Sequence, residues 1–174
     1  MLSKKEIVDK FRDYMVDSKK ILLFDANGTQ DVVKLLLKAL VNDIKKPINI
    51  GFISTHQAHF SEVFSKNSSS IKTDTEYVLG GHKIRFFIYE KQMLKTPPNN
   101  IDFLIVYPIE NIKEKDLVKL YSVCDSTRKV IYIIENSNDT LKHIKKLLPF
   151  EITLKESQGE KYYSMIRSTV SRNK

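Results

Sequence analysis

The sequence predicts an α/β domain, a mostly parallel twisted sheet with helices on both faces and an inserted β-hairpin. Three observations point there. Lys20–Phe24, Ile48–Ser54, Ile101–Val106 and Lys129–Ile134 are short, nearly continuous apolar runs. They have the length of strands and the unbroken hydrophobicity of strands covered on both sides. Helical stretches alternate with them, as parallel strands joined by crossovers require. Finally, Gly80-Gly81 separates two strand-like segments, Tyr77–Leu79 and Ile84–Ile88, and paired glycines supply the positive φ angles of a tight hairpin turn.

Each element follows from local chemistry. Ile7, Phe11, Tyr14 and Met15 recur at helical spacing, which predicts an amphipathic helix over residues 3–17 that docks on the domain or faces a partner. The first strand ends at Asp25, and Asn27 or Thr29 can cap the next helix. From Val32 to Ile44 the main polar positions are Lys34, Lys38 and Asn42, a narrow wet stripe on a mostly buried helix. Pro47 closes it, and Ser54 or Thr55 is placed to cap a helix running to Phe64. Asn67–Ser70 and Pro97–Asn100 read as breaks, Lys113–Cys124 and Thr140–Leu148 as helices. Glu151–Leu154 reads as a last strand, with Tyr162–Val170 a strand or terminal helix paired to it across Gly159. Phe86 or Phe87, in the alternating Ile84–Ile88 segment, belongs to the core.

The chain has 174 residues, 41% of them apolar and 29% charged, a composition that supports one globular domain with its own core. No stretch approaches the roughly 20 apolar residues of a membrane span, and Met1–Glu6 has no apolar signal core. A cytoplasmic protein without membrane contact is the expectation. The lone Cys124 fits a reducing compartment and reads as a buried structural thiol. A formal charge of +8 favours polyanionic partners. The charge concentrates late in the chain: Lys142, Lys145 and Lys146 beside His143 on one predicted helix, and Lys161, Arg167, Arg172 and Lys174 in a basic segment over residues 160–174. These are the candidate phosphate contacts, and a merely solvated lysine-rich surface is the alternative.

Asp25-Ala26-Asn27-Gly28-Thr29 is a tight turn between a buried strand and a long helix, where many α/β proteins hold a phosphate. A P-loop would read G-x-x-x-x-G-K-[ST] there, whereas this turn has one glycine, no lysine, and Gln30-Asp31-Val32 at the lysine and serine or threonine positions.

The succession of Lys20–Thr29, Ile48–Thr55, the hairpin Leu79–Phe86, Ile101–Val106 and Lys129–Ile134 resembles the RecA-like ATPase core of phage terminase large subunits and related helicases, across roughly residues 19 to 137. These segments are similar, in order, to the family's Walker A strand and loop, its next strand, the hairpin before Walker B, the Walker B strand and the strand of the coupling motif. Where that family places an Asp-Glu pair after the Walker B strand, this chain has Tyr107-Pro108. The aspartate would hold Mg²⁺ and the glutamate would activate water. The resemblance therefore implies a RecA-like fold whose nucleotide site, at Asn27, Gly28, Thr29 and Tyr107, has lost its chemistry. No cofactor is expected.

Other constellations are weaker. Asp25 and Glu135 could share Mg²⁺ if their strands are neighbours, with Glu110 a substitute base just beyond Pro108. Capping and turn chemistry accounts for the same residues. His56 and His59, three apart on a predicted helix, lack a spaced third zinc ligand, since His82, His143 and Cys124 form no signature with them. No G-x-S-x-G context accompanies a serine nucleophile. The preferred expectation is a non-hydrolytic module, of viral or mobile-element type, that binds nucleic acid or a replication or packaging partner. The alternatives are a Mg²⁺-dependent nucleotide hydrolase or nuclease, and a protein-only scaffold self-associating through the 3–17 helix.

Overall fold

Residues 4–18, 21–26, 32–63, 71–89, 100–123, 127–135, 152–156 and 163–167 are described by the computed structural model. Helices α1 (Lys4–Val16), α2 (Val32–Asp43), α3 (Ala58–Val63) and α4 (Glu114–Val123) alternate with strands β1 (Ile21–Asp25), β2 (Asn49–Ser54), β3 (Glu76–Leu79), β4 (His82–Ile88), β5 (Phe103–Val106) and β6 (Lys129–Ile134), followed by β7 (Ile152–Glu156) and β8 (Tyr163–Arg167). A 3₁₀ turn at Ile109–Asn111 precedes α4. The eight strands form one sheet in the order β3-β4-β2-β5-β6-β1-β7-β8. Its six inner strands run parallel, and β3 and β8 pair antiparallel at the two edges. The expected parallel α/β sheet and hairpin are both present.

The continuous apolar strands bury both faces because successive side chains point to opposite sides. Leu22, Phe24, Ile50, Phe52, Phe103, Ile105, Ile131 and Ile133 face one core together with α1, α2 and Phe60 of α3. Leu23, Ile53, Leu104, Val106, Val130, Tyr132 and Ile134 face a second core with Leu117 and Leu120 of α4. Gly51 points to this second side, where an added Cβ would stand 2.8 Å from Leu104 Cδ1. Phe86 and Phe87 are both buried, one in each core. The hairpin turn takes φ +57° at Gly80 and +88° at Gly81, left-handed values that favour glycine. Within Tyr162–Val170, where the sequence allows strand or helix, Tyr163–Arg167 is a strand antiparallel to β7.

Helix α1 uses its apolar stripe on the domain itself. Ile7, Phe11 and Tyr14 are at most 1% exposed, whereas Lys5, Glu6, Asp9, Arg12 and Asp13 lie outside. Its C-terminal end is held by a residue distant in sequence. Lys129, 5% exposed at the start of β6, donates from Nζ to the carbonyls of Tyr14 (3.0 Å) and Asp17 (2.6 Å). The ammonium also sits 4.5 Å from the Tyr14 ring centroid. No basic residue occupies the last turn of α1, so Lys129 supplies the cation that complements the helix dipole and its orphan carbonyls.

Candidate functional site

Ligands of open α/β sheets gather beyond the carboxyl ends of the strands, which makes the residues of that edge the first candidates. β1 ends at Asp25, which is fully buried and lies in register with Ile134 of β6 and Lys155 of β7. The neighbouring β6 continues into Glu135, so Asp25 and Glu135 do sit at the ends of adjacent strands. β5 is followed by Tyr107-Pro108, joined by a cis peptide bond. The 3₁₀ turn then aims Glu110 back at β6, where its carboxylate accepts the Glu135 backbone N–H at 3.0 and 3.2 Å. Glu110 thereby closes the end of β6.

A second cluster forms at the ends of β2 and β5. Ser54, 1% exposed at the last position of β2, lies 2.6 Å from His59 Nδ1 through its Oγ. The His56 backbone N–H donates to that same Oγ at 3.4 Å. His59 in turn packs edge-on against Tyr107, ring centroids 5.7 Å apart. Tyr107 is buried, and its N–H donates to Ile53 O at 3.0 Å.

One local expectation changes. α3 starts at Ala58, so His56 precedes the helix instead of sharing its face with His59, although the two rings meet at 6.2 Å. His56 Nδ1 receives the Ala58 N–H in the first turn (3.1 Å), a contact the sequence did not point to. The Ser54–His59–Tyr107 cluster escaped the sequence reading because Tyr107 follows a different strand, far along the chain from Ser54 and His59. Histidine at the start of a helix after a strand-ending serine was the available signal.

Of the other predicted site residues, His82 is buried and accepts the Ile48 N–H at Nδ1 (3.3 Å), a structural role at the opposite edge. Arg167 is the last residue of β8, in register with Ile152. Asn27, Gly28, Thr29, Lys142, His143, Lys145, Lys146, Lys161, Arg172, Lys174 and Cys124 lie outside the described residues. Among the described residues no group of three or more His, Cys, Asp or Glu is arranged to hold a metal ion. No helix among them is long and apolar enough to cross a membrane.

No family model and no curated protein sequence matches the chain. Among solved structures it is similar to the large terminase from the thermophilic bacteriophage D6E, with a TM-score of 0.55 and 10% sequence identity. The match covers 83% of this chain and 42% of that one. The fold is terminase-like, a RecA-like α/β arrangement, and at this identity the likeness concerns the fold alone.

Proposed function

We propose that the chain is a non-hydrolytic binding module built on a RecA-like scaffold, and that it engages nucleic acid through its late basic segments in a setting such as phage DNA packaging or replication. The observation that supports this most is the end of β5. Where a RecA-like ATPase of the terminase kind needs an acidic pair, Tyr107 is buried against His59, and the nearby carboxylate of Glu110 is engaged with the Glu135 backbone. The missing P-loop lysine in the Asp25–Thr29 turn agrees with it. So does the formal charge of +8, carried in part by Lys142, Lys145, Lys146, Lys161, Arg167, Arg172 and Lys174. The likeness in fold to a phage large terminase supports that setting by analogy.

A paired titration tests both halves. Labelled nucleotide is titrated with and without Mg²⁺, and single- and double-stranded DNA at low and high salt. DNA binding that weakens steeply with salt is expected, since each neutralised phosphate contributes about −0.7 to −0.9 to the slope of log K against log salt. Replacing Lys142, Lys145 and Lys146 together by Glu should lower that slope by about 2 to 3. Mg²⁺-dependent ATP binding overturns the claim that the nucleotide site is dead, and no DNA binding at low salt overturns the nucleic-acid half.

A further inference from the structure

The opposite edge of the sheet, where β2, β5 and β6 begin, carries a cleft of about 350 Å³ between the C-terminal ends of α1 and α2. Met15, Val16, Ile44, Ile48 and Phe103 line it with apolar surface. Val16 is 86% exposed, the most exposed large apolar side chain among the described residues. An apolar side chain left open to water beside a concave apolar wall gains free energy only when something covers it.

The charges at the rim say what kind of group that is. Arg12 and Asp43 border the cleft, but they cancel: Arg12 Nε and Nη2 donate to the two Asp43 carboxylate oxygens at 2.7 and 3.0 Å, and Nη1 donates to Asp9 at 3.2 Å. Arg128, on the residue before β6, also lines the cleft and is exposed. It makes no ion pair with any described residue. The cleft is thus an apolar hollow with one guanidinium at its mouth uncompensated by the described residues, on a protein of net charge +8.

We infer that this cleft docks an acidic peptide segment of a partner protein, seating one or two bulky apolar side chains against Phe103, Ile44 and Val16 while an adjacent carboxylate pairs with Arg128. The volume suits that occupant, lying at the lower end of the range for built ligand sites. Guanidinium and carboxylate meet as a planar two-point pair, which fixes the register of the segment. The ends of α1 and α2 frame the groove.

The test uses the full chain, immobilised and panned against a displayed random-peptide library, with selected peptides then measured by fluorescence anisotropy. Enriched peptides should place Leu, Ile, Phe or Met next to Asp or Glu. Arg128→Glu should weaken them about tenfold or more, as should Val16→Asp. Both substitutions are at exposed positions, and an unchanged thermal melt confirms that the fold is retained. Failure to enrich any sequence, enrichment of peptides without carboxylates, or binding indifferent to both substitutions overturns the inference. A concentration-dependent dimer abolished by Val16→Asp also overturns it, and gives the cleft to a second copy of the chain.

Discussion

Replacing Lys129 with methionine should loosen the N-terminal helix from the sheet. The methionine keeps most of the apolar stem, so the perturbation is concentrated on the ammonium. Two charge-assisted hydrogen bonds are lost, to Tyr14 O and Asp17 O, each contributing about 1.5–3 kcal/mol. The contact with the Tyr14 ring adds about 1 kcal/mol. Against this gross loss of about 4–7 kcal/mol stands the relief of a buried cation's desolvation, which amounts to several kcal/mol. The net destabilisation comes to about 2–3 kcal/mol, and for a chain of this size that lowers Tm by about 5–10 °C. Urea and thermal denaturation measure it, and because the ammonium is buried the loss should change little with added salt. A cycle with Tyr14→Leu isolates the ring contact, with an expected coupling of about 0.5–2 kcal/mol. A Lys129→Met variant within about 0.5 kcal/mol of the parent would refute the reasoning, since the helix carbonyls would then have water or another donor in place of the ammonium.

Five further substitutions probe the core, the hairpin turn and two polar contacts. Phe11→Ala, at a site with no exposure, should destabilise by about 3–5 kcal/mol in the same denaturation assay. Gly80→Ala forces a left-handed φ on alanine and drives its Cβ into Val41 Cγ1; a loss of about 3 kcal/mol is expected, against about 1 kcal/mol for Gly81→Ala, whose Cβ meets nothing. Ser54→Ala removes the His59 partner, which should lower stability by about 1 kcal/mol and release the imidazole to exchange tautomers, visible in its nitrogen chemical shifts. The hydrogen bond from Arg12 holds the Asp43 carboxyl below its ordinary value. The pair therefore stabilises above the unfolded-state carboxyl pKa and is lost as pH falls through the depressed folded one. In a carboxyl-carbon NMR titration Arg12→Gln should raise the Asp43 midpoint, and added salt should shrink the difference because both groups face water.

The elements were legible because their determinants are local. Four apolar runs of strand length became β1, β2, β5 and β6, and two adjacent glycines fixed the hairpin at Gly80-Gly81. The spacing of Ile7, Phe11 and Tyr14 set the buried stripe of α1. What periodicity cannot carry is pairing across long separations. Lys129 binds Tyr14 O from 115 residues away. Its only trace in the sequence is one charge at the start of an apolar strand, set against a helix whose last turn has no cation of its own. The candidate site shows the same division. The ends of β1 and β6 were expected to carry Asp25 and Glu135 side by side if those strands were neighbours, and they do. The contacts of Ser54 with His59 and of His59 with Tyr107 depend on where β5 lies, and strand order is not written in any one segment.

The two edges of the sheet differ in a way that bears on what each can recognise. At the carboxyl edge two polar side chains are turned on a neighbour or on the backbone: Ser54 on His59, and Glu110 on the Glu135 N–H. A ligand or cation recruiting Glu110 there must first compete with a backbone donor that would be left without its acceptor, a penalty of about 1–3 kcal/mol if that donor is kept from water. At the amino edge the polar pair, Arg12 with Asp43, is likewise closed, but Arg128 and the apolar lining beside it are not. Covering Val16 and pairing Arg128 displaces only water. Among the described residues, recognition in this cleft therefore displaces no hydrogen bond or ion pair of Arg128, whereas a ligand that recruits Glu110 must displace its bond to the Glu135 N–H.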